Sequence, residues 1–437
     1  MRKVLFFCAL SIVYSISTVS GLLKVQVNRG IFSPIPIAVV DFTGDSDLGR
    51  NLRQIISNDL GGSGLFKAIP QDAYMQDPES LQKSVRFSDW RLIKTDALVY
   101  GTVKESGGKV FVTFRLVDVF AEKQMVALEM HADKADFRRL AHMISNTIYE
   151  RLTGEKGYFT TKVAYVEETG RADHRIKRLA IMDCDGQNHR YLTSGRTFVM
   201  TPRFSPDGNK VAYFTIANHQ GNVYIYDIHE HTTELLGKFK GMSYAPRFSA
   251  DGKKMLFSVA EGLTSHIYEV NLKTKEKRQL TKVPALNTSP YYSPDGSTIA
   301  FVSDRSGTPQ IYTMDKDGEA NGESAKRITF GQGRYYTPVF SPNGQHLAFT
   351  KTQGGTFYVG VLKPDGTGER TLAQGFFVEA PTWSPNSQMV MYTRRTPVNP
   401  RTKSEIARIY SIHVSGFNER EMLTPKDATD PEWSGSL

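Results

Sequence analysis

Beyond about residue 160 the chain runs in short stretches where apolar and polar positions alternate, the period-two pattern of half-buried strands. Residues 211–214, 299–302 and 347–349 are β-rich runs. A following run is marked by tyrosine at Val223-Tyr224-Ile225, Ile267-Tyr268, Ile311-Tyr312, Phe357-Tyr358 and Ile409-Tyr410. Between residues 35 and 155 the rhythm differs. Residues 35–42 read as a buried strand. Asp47 is placed to cap a helix with Leu48, Leu52, Ile55, Ile56 and Leu60 on one face, stopped by Gly61-Gly62. Residues 97–103, 110–117 and 125–130 read as further strands. A second helix, from about Asp136 to Leu152, turns Phe137, Leu140, Ala141, Ile144 and Ile148 inward and ends at Gly154. Two helices beside a mixed sheet predict an N-terminal α/β domain.

The alternating part is a repeat. Pro202-Arg203-Phe204-Ser205, Pro246-Arg247-Phe248-Ser249, Pro290-Tyr291-Tyr292-Ser293, Pro338-Val339-Phe340-Ser341, Pro381-Thr382-Trp383-Ser384 and Pro431-Glu432-Trp433-Ser434 begin 44, 44, 48, 43 and 50 residues apart. A period of roughly 40–50 residues built from short strands belongs to β-propellers, one four-stranded blade per repeat. Ser205-Pro206-Asp207-Gly208 and its equivalents suit a type I turn, with Pro presetting φ and Gly accepting the exit geometry. Only three residues follow Ser434, so the sixth copy lacks its other strands. Lys162-Val163-Ala164-Tyr165-Val166 repeats Lys210-Val211-Ala212-Tyr213-Phe214 and supplies them. Pairing of the C-terminal strand with residues near 163 would close a six-bladed ring and remove two sheet edges. The expected architecture has two domains, the α/β unit and a six-bladed β-propeller closed by its own termini.

The first residues change the picture of where this chain works. Arg2 and Lys3 precede an apolar run from Val4 to about Val13, followed by small residues at Ser17, Thr18, Ser20 and Gly21, which reads as a secretion signal cleaved near residue 20–21. The division expected is 1–21 signal, 22–157 α/β domain and 158–437 propeller, with no membrane span in the mature chain. Residues 22–33 alternate weakly at Leu23, Val25 and Val27 and fit an edge strand or a detachable arm. The formal charge of +9 includes two charges that leave with the signal, and no Lys/Arg block points to nucleic acid. Cys8 also leaves. Cys184, in the turn-like Asp183-Cys184-Asp185-Gly186, then stays without a disulfide partner, and the fold must be held by its core.

Motifs for chemistry are missing. There is no Gly-x-Ser-x-Gly, Walker loop, His-Glu-x-x-His or Cys-x-x-Cys. Asp315-Lys316-Asp317-Gly318 puts its Gly too early for a calcium loop and reads as a hairpin turn. The Ser-x-Asp turns lack the residue between Asp and Gly found in sialidase boxes. His142 reads as a surface residue of the second helix, His229 and His231 as turn residues, and Asp304-Arg305-Ser306-Gly307 as a turn with a local Asp–Arg contact. No catalytic, cofactor or metal residue is expected, and recognition is the first expectation. Two other classes stay open: a secreted propeller lyase or glycosidase using Glu379 and Asp430, and a carbohydrate- or peptidoglycan-binding module stacking sugars on Tyr244, Tyr335 and Tyr336.

Several ordered segments carry a resemblance. Ile37-Ala38-Val39-Val40-Asp41-Phe42, the Asp47 helix leading to Ser63-Gly64-Leu65-Phe66, Asp96-Ala97-Leu98-Val99-Tyr100-Gly101 and Leu116-Val117-Asp118 come first. Leu152-Thr153-Gly154-Glu155-Lys156-Gly157, the run from Ser303 to Tyr312 and the terminal Trp433-Ser434 follow. Together they make the chain similar to the TolB family of the Tol-Pal system over essentially its whole length. That resemblance implies a monomeric, non-enzymatic periplasmic adaptor supporting outer-membrane integrity and division, without a cofactor. It implies docking of the peptidoglycan-associated lipoprotein, Pal, on the loops before each Pro-x-aromatic-Ser strand. Here those are Met200, Thr201, Met242, Ser243, Tyr244, Ala245, Asn287, Thr288, Ser289, Tyr335, Tyr336, Thr337, Glu379, Ala380, Thr429 and Asp430. It also implies that the arm, with Leu22, Leu23, Lys24, Val25, Gln26 and Val27, binds the C-terminal domain of TolA. Other envelope proteins and, indirectly, peptidoglycan are further implied contacts.

Overall fold

The computed structural model describes residues 33–171, 174–217, 220–237, 242–321, 325–402 and 404–435. The expected signal segment and arm residues Leu22 to Val27 lie outside them. The N-terminal domain is a mixed sheet built from β1 (Ile35–Val39), β2 (Thr43–Gly44), β3 (Phe66–Ala68), β4 (Ala97–Ser106), β5 (Lys109–Asp118) and β6 (Lys123–Asp133). Its order is β3-β1-β4-β5-β6, with β2 beside β4. Pairs involving β1 and β2 are parallel and the β4-β5-β6 meander is antiparallel.

Helix α1 (Ser46–Gly62) is capped by Asp45, not Asp47. The Asp45 carboxylate accepts from the backbone N–H groups of Asp47 and Leu48 at 3.1 Å each. A cap residue needs extended backbone, which Asp45 has at φ −77° and ψ 110°, whereas Asp47 is already helical and pairs with Arg50 in the first turn. Helix α4 (Phe137–Thr153) ends as expected on Gly154, whose φ of 78° only glycine adopts freely. Two six-residue helices escape the sequence reading, Pro78–Lys83 and Phe87–Leu92, which we label α2 and α3. They bury Leu81 and Trp90 on Ala38, Leu98 and Val117 at the back of the sheet, while α1 and α4 cover its front. Among the described residues the domain therefore has three layers and four α-helices.

Six four-stranded sheets form the ring. The innermost strands are Phe198–Phe204, Met242–Phe248, Asn287–Tyr292, Arg334–Phe340, Phe377–Trp383 and Asp427–Trp433. The last of these pairs antiparallel with Lys162–Thr169, Trp433 opposite Val163 and Glu432 opposite Ala164. Closure continues into the turn: Ser434 N–H donates to Lys162 O at 2.8 Å, and Lys162 N–H donates to Ser434 Oγ at 3.0 Å. An intact repeat makes the same bonds within itself. Ser205 Oγ accepts from Lys210 N–H at 2.9 Å and donates to Asp207 at 2.5 Å, and Gly208 completes the turn at φ 71°.

The domains share one core. Tyr149, Tyr158 and Phe159 pack with Met389, Met391 and Trp433 of the propeller. Trp433 Nε1 donates to Thr161 Oγ1 at 2.7 Å, and its ring meets Tyr158 edge-on at 5.4 Å. Asn386 Nδ2 donates to Lys156 O and Asn418 Nδ2 to Gly62 O, each at 3.0 Å. Asn386 and Asn418 lie in turns on the side where the Ser-Pro-Asp-Gly loops lie. The α/β domain thus sits on that face of the disc, and the opposite ends of the innermost strands open on the other.

Candidate docking face

The residues expected in loops before each proline instead belong to the innermost strands. In all six the register slips at the same place: Met200 faces Phe214 but Arg203 faces Ala212, leaving one extra residue in the inner strand. The same slip occurs before Arg247, Tyr291, Val339, Thr382 and Glu432. The residue before each proline takes the left-handed conformation: Thr201 at φ 48°, Ala245 at 52°, Ser289 at 53°, Thr337 at 50°, Ala380 at 55° and Asp430 at 50°. Proline explains the placement. Its ring disfavours αR for the residue before it, and it brings no N–H to be left unpaired where the ladder breaks. A bulge re-aims side chains, here once per blade at the mouth of the central channel.

Re-aiming removes several expected contact residues from the surface. Tyr335 is fully buried against Phe349, its hydroxyl donating to Glu369 at 2.8 Å. Asn287 is buried too: its Nδ2 donates to Ser265 O and Val283 O at 3.0 Å, and its Oδ1 accepts from Arg305 at 2.9 Å. Thr429, Asp430 and Ala380 are also buried. Met200, Thr201, Tyr244, Ala245, Thr288, Ser289, Tyr336, Thr337 and Glu379 keep partial exposure. Arg305 pairs with Glu319 instead of with its neighbour Asp304, whose carboxylate caps Leu286 N–H.

What the sequence reading missed is an apolar rim. The start of one innermost strand, the connections entering three others and one hairpin between middle strands raise Phe198, Leu286, Phe330, Phe376 and Leu263 on this face, Leu263 at 95%, Phe330 at 76% and Phe376 at 58% exposure. Lys177 Nζ lies 4.9 Å from the centre of the Phe198 ring, and Arg327 lies 5.0 Å from that of Phe330. Large apolar side chains displayed together on one face mark a binding surface. The available signal was an aromatic in an otherwise polar connection, as in Thr329-Phe330-Gly331.

Behind the rim lies a buried charge network at blades five and six. Glu168 takes both guanidinium branches of Arg395 at 2.8 and 3.0 Å, Lys177 at 2.8 Å and the Thr429 hydroxyl at 3.1 Å. Burial would raise the Glu168 pKa, but the Arg395 hydrogen bonds and Lys177 outweigh it and hold the acid at about 2. Glu379 shows the opposite balance. Burial first, and then the Asp430 carboxylate, push it up to about 8. Deeper in the channel, Glu432 is shared by Arg247 at 3.2 Å and Arg203 at 3.4 Å, and Arg247 stacks 4.6 Å over the Tyr291 ring. Burial, then the neighbouring Arg247, lower the Arg203 pKa to about 10.

One expectation for a single residue fails elsewhere. His142 is not a surface residue: it is 2% exposed, where α4 faces both α1 and the propeller. Cys184 is buried in the same junction, its thiol 3.2 Å from Phe159 O. Among the described residues no helix is long and apolar enough to cross a membrane.

An α/β domain fused through a common core to a self-closed six-bladed disc, with the disc's far face displayed, defines the class of two-domain propeller scaffolds. Residues 149–437 match the TolB beta propeller domain, and residues 23–125 match the TolB amino-terminal domain. The Tol-Pal system protein TolB of Paramagnetospirillum magneticum is 50% identical over 417 residues, covering 94% of this chain and 92% of that protein. That of Pelagibacter ubique is 49% identical over 430 residues, covering 95% and 96%. The crystal structure of TolB from Acinetobacter baumannii superposes with a TM-score of 0.82 at 28% identity, over 92% of this chain and 97% of that one. The chain belongs to the TolB family, and its role lies in the Tol-Pal system.

Proposed function

We propose that this chain is a non-enzymatic periplasmic adaptor, reached through a cleaved signal segment. Its open propeller face takes Pal and its residues 22–33 take the C-terminal domain of TolA, in support of outer-membrane integrity and envelope constriction. The observation that carries the reading is the open face itself. Six bulges re-aim side chains around one channel mouth, and exposed aromatics and leucines ring it, in a chain of the Tol-Pal family. Apolar anchors inside a polar surround are how protein interfaces are built.

A binding assay with purified partners tests both halves. Replacing Phe330 and Phe376 together by Ser is expected to weaken Pal binding by about tenfold or more, as loss of one interface anchor does, with the melting temperature unchanged. Deleting residues 22–33 is expected to abolish TolA binding and spare Pal. Loss of Pal binding on deleting the arm, or full Pal affinity in the double variant, overturns the assignment of faces. Retention of this chain on purified sacculus without Pal would favour the carbohydrate-binding reading instead.

A further inference from the structure

The junction between the domains holds a titratable cluster on which the docking face does not draw. His142, on α4, donates or accepts through Nδ1 at 2.8 Å from Asp59 Oδ2 of α1. Its other ring nitrogen, Nε2, lies 3.8 Å from Asp185 Oδ2, in the propeller turn that follows the strand Ile176–Asp183. Asp59 is 4% exposed and His142 2%. Nε2 has no hydrogen-bond partner, and neither does the buried Nε of Arg138 beside it. The charged groups that face the ring are Asp59 from α1, Arg138 from α4 itself and Asp185 from the turn, with the buried Cys184 thiol next to Asp185. The Arg138 guanidinium pairs with Asp185.

The two protonation states of this imidazole are unequal here. Neutral, with its proton on Nδ1 for Asp59, it turns a bare Nε2 lone pair toward the Asp185 carboxylate. The result is a buried acceptor facing an acceptor, an arrangement that buried polar groups avoid. Protonated, it donates to Asp59 within the α/β domain and stands at ion-pair distance, 3.8 Å, from Asp185 in the propeller, spanning the junction with one charge between two. We propose that His142 is a protonation-sensitive clamp that ties the α/β domain to the propeller when charged and, when neutral, leaves Arg138 alone to hold Asp185.

The direction of titration agrees with this geometry. Burial alone would lower the His142 pKa, but the Asp59 hydrogen bond and charge, and then Asp185, outweigh it and raise it above the ordinary value. Burial raises the Asp59 pKa as well. For a histidine whose folded value is raised, the added stability is complete below the ordinary value and is lost as pH climbs through the folded value. The clamp is therefore closed in mildly acidic solution and open in alkaline solution. The other ties across the junction, the Arg138–Asp185 ion pair and the bonds from Trp433 to Thr161, Asn386 to Lys156 and Asn418 to Gly62, stay in place when the imidazole loses its proton, so the domains loosen without separating. Asp59, His142 and Asp185 also satisfy the spacing of a metal site. The guanidinium of Arg138 on Asp185 occupies the side a cation would need, which favours the clamp.

The test uses the full mature chain. The imidazole of His142 is followed by NMR from pH 5 to 9, its signal assigned with H142Q, alongside hydrogen exchange of residues 158–161 corrected for intrinsic rate. In the wild type, His142 is expected to titrate above 6.5, and exchange at 158–161 to rise about tenfold across that titration. D185N, which keeps the shape and offers an amide N–H to neutral Nε2, is expected to lower the His142 titration by about one unit, the effect of removing one nearby opposite charge. It should also flatten the exchange response. H142Q should flatten it too. The proposal is overturned by titration at or below 6.5, by an unchanged value in D185N, or by the same pH response in H142Q. Zinc raising the wild-type melting temperature but not that of H142Q would overturn it as well, making the cluster a metal site.

Discussion

Glu379 shows how far a single side chain can depart from what its letter suggests. Its place before Pro381 is plain in the sequence, but its pKa is not, because burial and the Asp430 charge raise it to about 8. Between the ordinary carboxylate value and 8, the folded chain keeps a proton that the unfolded chain gives up. Stability from this group is therefore full at acid pH, falls through that window and is gone above it. Glu168, held at about 2, behaves oppositely and loses its contribution only as pH falls below the ordinary value. E379Q is thus expected to melt close to the wild type at pH 5 and above it at pH 9. Melting curves that stay parallel across this range would show that Glu379 ionises at the ordinary carboxylate value. Tyr335 and Asn287 make the same point about legibility. Their nearness to the prolines could be read, but a register slip decides which face a strand residue takes, and composition carries no trace of the slip.

At the scale of elements, what could be read is whatever repeats or has length. The prolines and turn residues fixed the six inner strands and the closure, and α1 and α4 carry enough turns for a helical period to show. Helices α2 and α3 have six residues each, too few for that period to stand out from local composition. His142 was misread because the face it shares with Ser145 and Tyr149 is polar enough to look solvated until a second domain covers it. The bulges were invisible for another reason: positive φ at threonine, alanine, serine or aspartate contradicts residue preference. A β-branched residue there is costly, on the order of 1–2 kcal/mol. Thr337, at φ 50° and partly exposed, is the clearest case. T337G is expected to gain roughly 0.5–1 kcal/mol by denaturant unfolding, the relieved strain being partly offset by the extra freedom glycine has when unfolded. A loss of stability instead would mean that the threonine methyl is packed well enough to outweigh the strain.

For the whole molecule, the question is whether two domains drawn separately in sequence are separate in energy. Trp433 lies in the final strand, yet it packs on Tyr158, bonds Thr161 and belongs to the same apolar cluster as Leu140, Ile144 and Ile148 of α4. The residue that completes the ring therefore also joins the ring to the α/β domain. W433A removes a large buried ring and leaves Thr161 Oγ1 without its donor, so a loss of about 3–5 kcal/mol is expected. The location of that loss matters more than its size. With a common core, hydrogen exchange at Ile144 and Ile148 should quicken together with exchange in Lys162–Thr169, and denaturation should stay a single transition. If α4 kept its protection while the propeller strand lost its own, the two domains would be independent folding units that merely touch. A signal at the junction could then not reach the docking face through the core, because a side chain shared in space would not be shared in stability.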